Sequence, residues 1–177
     1  MAVGIGRAGS VSVVPGNNPV VITGLAEFLR DSSKAYKDFN KEMRIAAQDV
    51  AQLLVDKAKG EASTVSRSRQ ATEVMKGMKA QRDRIPTVSL RSKEGFVSKS
   101  RPNRLRKVKV TRGDVFFGAE FGGGATPRTS QFLRHRGRKG YFFWPTVRAN
   151  KEEIAQNYLK AIDRVLENLA KRSLGIG

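Results

Sequence analysis

Residues 25–60, LAEFLRDSSKAYKDFNKEMRIAAQDVAQLLVDKAKG, constrain the fold most. Leu25, Phe28, Leu29, Tyr36, Phe39, Met43, Ala46, Ala47, Val50, Leu53, Leu54 and Ala58 recur at steps dominated by three and four. A helix gathers such positions on one face, and that face must be covered. One unbroken helix of about 35 residues would be a rod of roughly 50 Å. A compact chain of 177 residues has a radius of gyration of only about 16 Å. The helix must therefore break or serve an assembly. Asp31-Ser32-Ser33 interrupts the repeat with poor helix-interior residues, so a break is expected near 31–33. Lys57 and Lys59 suit a helix C-terminus, and Gly60 is the expected stop.

Around this helix the chain reads as α+β. Residues 1–22 form an extended N-terminal arm, in which Val20-Val21-Ile22 suits a strand added to a neighbouring subunit's sheet. Residues 61–84 carry a weak apolar stripe, and 85–90 alternate like a strand. Residues 91–106 read as a basic loop insert. Val108 and Val110 alternate with Lys107 and Lys109, Arg112-Gly113-Asp114 reads as a turn, and Val115-Phe116-Phe117 as the return strand. A flexible loop over 122–140 follows. Asn150 and Glu153 are placed to cap a closing helix whose stripe runs Ile154, Tyr158, Ala161, Ile162, Val165, Leu166 and Leu169 to about 172. The expected architecture is a small antiparallel sheet packed on the long N-terminal helix and the C-terminal helix. It forms one domain over 23–172, with a tail at 173–177.

Charge narrows the partners. There are 34 Lys+Arg against 16 Asp+Glu, a net charge of +18. The excess lies between 100 and 139, and the terminal helices are nearly balanced. Such an imbalance calls for a polyanion or an acidic protein neighbour. The candidate contacts are Arg101, Arg104, Arg106, Lys107, Arg134, Arg136, Arg138 and Lys139. The last four lead into Tyr141-Phe142-Phe143-Trp144-Pro145. An extended segment would send Phe142 and Trp144 to one side and Tyr141 and Phe143 to the other. One pair is then expected in the core and the other at an inter-subunit contact, with Phe143 and Trp144 the interface candidates. No stretch nears the roughly 18–20 apolar residues of a membrane helix. The chain has no cysteine and no signal-peptide pattern.

No catalytic set is visible. The single histidine, His135, lies between two arginines and cannot build a metal site alone. The acids cluster only on a helix, as Glu152-Glu153 and Asp163 with Glu167. The stretch GAEFGGG lacks both phosphate-binding glycine frames. The reading is of a non-enzyme with no metal and no cofactor.

The order of elements then resembles a known family. An amphipathic opening helix, a β region, "VFFGAEFGGG", an aromatic–Pro turn "YFFWPTVRANKEEI" and a closing helix are similar to the neck and tail-completion proteins of long-tailed bacteriophages. In that family a strand ending in an acidic–Phe–Gly signature precedes a loop, an aromatic–Pro turn and a C-terminal helix. Glu120-Phe121-Gly122 matches the first signature, and Phe143-Trp144-Pro145 matches the second loosely. The resemblance spans about residues 24–172. It implies a virion ring subunit, six-fold, assembled in the host cytoplasm and joining the head to the tail. Its partners would be other neck and tail proteins, with non-specific contact to packaged DNA. The alternative is a sequence-independent nucleic-acid-binding protein associated with ribosome or nucleoid.

Overall fold

The computed structural model describes residues 11–12, 21–65, 69–98, 108–123 and 132–175. They are α+β, with small strand pairs set against helices. The chain divides into two compact units. One contains Met1–Val50, Arg82–Thr87 and Asn150–Gly177, the other Ala51–Gln81 and Val88–Ala149.

In the first unit, β1 (Val11–Ser12) pairs antiparallel with β2 (Val21–Ile22), Val11 opposite Ile22. The expected break in the opening helix exists but falls later. Helix α1 spans Leu25–Ala35 and α2 spans Phe39–Thr64, with Tyr36 extended between them. Asp31-Ser32-Ser33 stays helical, and the Ser33 hydroxyl donates to the Arg30 carbonyl at 2.7 Å. That bond inside the helix removes the competition that makes serine a breaker. Gly60 likewise does not stop α2. Ser63 and Thr64 donate back to the carbonyls of Gly60 and Glu61 and carry the helix to its end.

This unit's core is helix on helix. Leu29, Phe39, Met43, Ala47 and Val50 meet Tyr158, Ile162, Val165 and Leu169 of α5 (Phe143–Ser173). Phe28 and Phe39 pack edge to face, centroids 6.2 Å apart. The Tyr158 hydroxyl donates to the Arg84 carbonyl at 2.5 Å, and burial pushes its pKa up to about 12.

The second unit holds α3 (Arg69–Lys76), β3 (Met78–Gln81), β4 (Thr87–Leu90), β5 (Gly95–Ser98), β6 (Val108–Thr111) and α4 (Arg112–Phe121). Strand β3 pairs with β4, and β5 pairs antiparallel with β6, Phe96 opposite Val110. Val88, Leu90, Phe96 and Val110 lean on a core of Val55, Ala58, Ala62, Ala71, Val74, Met75, Met78, Val115, Ala119 and Phe142.

Three expectations are overturned in this unit. The partner of β6 is β5, which lies inside the stretch read as a loop. The presumed return strand 115–117 is part of α4 instead. The Arg-Gly-Asp tripeptide is that helix's first turn, not a hairpin turn. Thr111 is the N-cap, its hydroxyl accepting from the Asp114 amide at 3.2 Å, while the Asp114 carboxylate accepts from the Thr111 amide at 3.0 Å. This reciprocal capping box outweighs the β preference of Val-Phe-Phe. The Thr111 hydroxyl bond also holds the Asp114 carboxyl below its usual range.

Candidate functional site

The residues of interest meet where α4 ends and α5 begins. Helix α5 starts at Phe143, seven residues before the expected cap Asn150. Its first turn is Phe143-Trp144-Pro145, where proline is tolerated because the early amides lack helical partners. The cap for those amides comes from a distant residue. The Glu120 carboxylate, 0% exposed, accepts from the amides of Phe143 and Trp144, each at 2.9 Å, and from Phe142 at 3.4 Å. Pro145 has no amide to satisfy, and the Thr146 amide and hydroxyl turn back to the Phe142 carbonyl. One buried carboxylate thus serves the whole open end of a helix, where a negative charge is also favoured by the dipole. Complete burial still dominates and raises the Glu120 pKa, the backbone amides pulling the other way.

Glycines make room for this arrangement. Gly140 has φ +71°, and a Cβ there would collide with the Glu120 carboxylate. Gly122 has φ +85°, and its Cβ would strike the backbone of Leu133 and Arg134.

Hydrogen bonds join the segment 132–140 to the end of α4 and to Tyr141. The Gly123 amide donates to the Leu133 carbonyl at 2.7 Å and the Arg136 amide to the Phe121 carbonyl at 2.8 Å. The Tyr141 hydroxyl donates to the Arg134 carbonyl at 2.6 Å, and the Arg136 guanidinium lies 5.1 Å from the Tyr141 ring centroid. A 3-10 turn, Gly137–Lys139, follows, and the Arg148 guanidinium ties down the carbonyls of Arg138 and Lys139.

The aromatic run is therefore helical from 143 onward rather than extended, and its rings do not alternate. Phe142 is fully buried, Tyr141 and Phe143 are half-buried, and Trp144 is 40% exposed, edge to face with Phe143. Phe143 packs against the second unit's core. On α4, Phe117 is 67% exposed and stacks on Phe121 with centroids 6.2 Å apart.

Arg134, Arg136, Arg138 and Lys139 are exposed, and none forms an ion pair with a described carboxylate. Arg101, Arg104, Arg106 and Lys107 lie outside the described residues, as does Val20. Val21 and Ile22 pair with their own chain in β2. Arg112, counted with the basic excess, is an internal strut. Its guanidinium donates to the Glu73 carbonyl at 2.9 Å and pairs with Glu94, whose carboxyl is held low chiefly by Arg91.

Sequence reasoning found Glu120-Phe121-Gly122 but not the capping role, because nothing local links residue 120 to 143. The Thr-x-x-Asp spacing of 111–114 was a readable helix signal. Among the described residues, no group of three or more His, Asp or Glu could hold a metal, and no helix is long and apolar enough to cross a membrane. No protein-family model, curated protein or solved structure matches the chain.

Proposed function

We propose that this chain is a ring-forming structural subunit of a bacteriophage head-to-tail interface, joining the DNA-filled head to the tail. The contact between Glu120 and the start of α5 carries the reading. The resemblance rests on two short patterns, Glu120-Phe121-Gly122 and the aromatic–Pro turn. In the fold the first supplies a carboxylate and the second the amides it caps. The signature stands here at the end of helix α4 and not of a strand, so the support is the residue pattern and its contact rather than the kind of element. The pair β1–β2 is in keeping with the same reading, since it has no third strand among the described residues.

Negative-stain microscopy of the purified chain, and of tailed particles labelled against it, tests the proposal. Closed rings, expected to be six-fold, with label between head and tail are the predicted result. A uniform monomer absent from particles would sink it. The second reading, sequence-independent nucleic-acid binding, draws on the four exposed cations at 134–139. Submicromolar, strongly salt-dependent DNA or RNA binding by the free chain would favour it.

A further inference from the structure

Residues 88–149 carry fifteen Lys and Arg against three carboxylates, Glu94, Asp114 and Glu120. All three carboxylates are engaged within the chain. Glu94 holds Arg91 and Arg112, Asp114 closes the capping box of α4, and Glu120 caps α5. The cations of 134–139 thus have no carboxylate partner among the described residues, and Arg136 lies over the Tyr141 ring.

Beside them lies apolar surface. Phe117 and Phe121 sit one turn apart on α4 with rings inclined by 20°, and Phe117 is the most exposed aromatic residue described. Backbone bonds bring Arg134 and Arg136 to this end of α4. Arg136 donates to the Phe121 carbonyl, Gly123 donates to the Leu133 carbonyl, and Gly123 bridges Arg134.

We propose that the Phe117–Phe121 face of α4, with the backbone of Arg134 and Arg136 held at its C-terminal end, docks an acidic segment of another protein that also carries apolar side chains. Charge complementarity selects the acidic character, since this stretch offers no free carboxylate of its own. The exposed Phe117 ring, stacked on the half-buried Phe121, selects the apolar character, because aromatic anchors contribute to an interface only when covered. Duplex nucleic acid would meet the cations through phosphates and leave the rings in water. A second copy of this strongly basic chain would bring more cations than carboxylates. The proposal stands whether or not the chain forms a ring.

Fluorescence anisotropy on the full chain tests it with three probes. These are a short fluorescein-labelled peptide of repeated Asp-Leu-Glu-Phe, the same peptide with Ser replacing Leu and Phe, and an oligo-dT of matching charge. The first should bind, and both the Ser replacement and Phe117→Ala should weaken it about tenfold. Phe117→Tyr should retain binding. Arg134→Ala with Arg136→Ala should weaken binding and flatten its salt response. Melting temperatures near the parent's would confirm that the variants are folded, as expected for exposed positions. Equal binding of the Ser peptide, or no effect of Phe117→Ala, overturns the proposal. So does tighter, Phe117-dependent binding of oligo-dT, which would assign the face to single-stranded nucleic acid.

Discussion

The two units reach stability by different means. The first carries 13 Lys+Arg against 10 Asp+Glu, and the second 21 against 6. The first buries large side chains, Leu29, Phe39, Met43, Tyr158 and Ile162, along helix faces. The second fills its core mostly with Ala, Val and Met and adds polar groups with fixed jobs: Glu120 on the start of α5, Arg112 on Glu73 and Glu94, and Thr111 with Asp114 on α4. A unit made by periodic burial tolerates any side chain of similar volume. One built on directed polar contacts tolerates little change at those positions.

Substitutions test that contrast. The largest effect is expected in the first unit, where Phe39→Ala removes a fully buried ring. It should cost about 3–5 kcal/mol by urea denaturation; a loss under about 1 kcal/mol would mean that the helix faces are not the main support. Glu120→Gln comes next, at about 1–3 kcal/mol, because its NH2 group must face an amide that also donates.

Titration of the same pair gives a sign. Glu120 is raised above its ordinary 4.5, so the folded chain keeps that proton to higher pH than the unfolded chain. The contribution is full below about pH 4.5 and declines as pH rises through the raised value. Glu94 and Asp114, both lowered, work the opposite way, their contributions being lost as pH falls. They are present in parent and variant alike and cancel. The parent-minus-Glu120→Gln stability difference should therefore fall above pH 4.5. A rising difference would mean that the amides outweigh burial.

Thr111→Ala should lower stability by about 1 kcal/mol through loss of the cap, visible in calorimetry as a reduced melting temperature. Arg172→Ala should be nearly silent, at about 0.5 kcal/mol or less, although it breaks an ion pair with Glu42 at 3.2 Å. If Arg172→Ala cost more than Thr111→Ala, directed polar contacts would matter equally in both units.

The same contrast explains what could be read from the sequence. The apolar stripes of α2 and α5 were legible because burial along a helix writes its period into the chain. The break between α1 and α2 was legible in kind but misplaced, because Ser33 satisfies itself within the helix. In the second unit, Val115-Phe116-Phe117 looks like strand by propensity, and only the capping box shows otherwise. The start of α5 was out of reach. Asn150 is a plausible local cap, whereas the true one is a glutamate 23 residues before Phe143. Contacts of that range leave no periodic trace. The exposed cations of 134–139 were legible as charge, but not their anchoring to the end of α4.

The Glu120 cap also changes what hydrogen exchange would report. First-turn amides of a helix ordinarily face water and exchange quickly. Those of Phe143 and Trp144 are closed by a side chain from α4, so they exchange only when that carboxylate lets go. Their protection is a gauge of the contact between the Glu120 carboxylate and the first turn of α5.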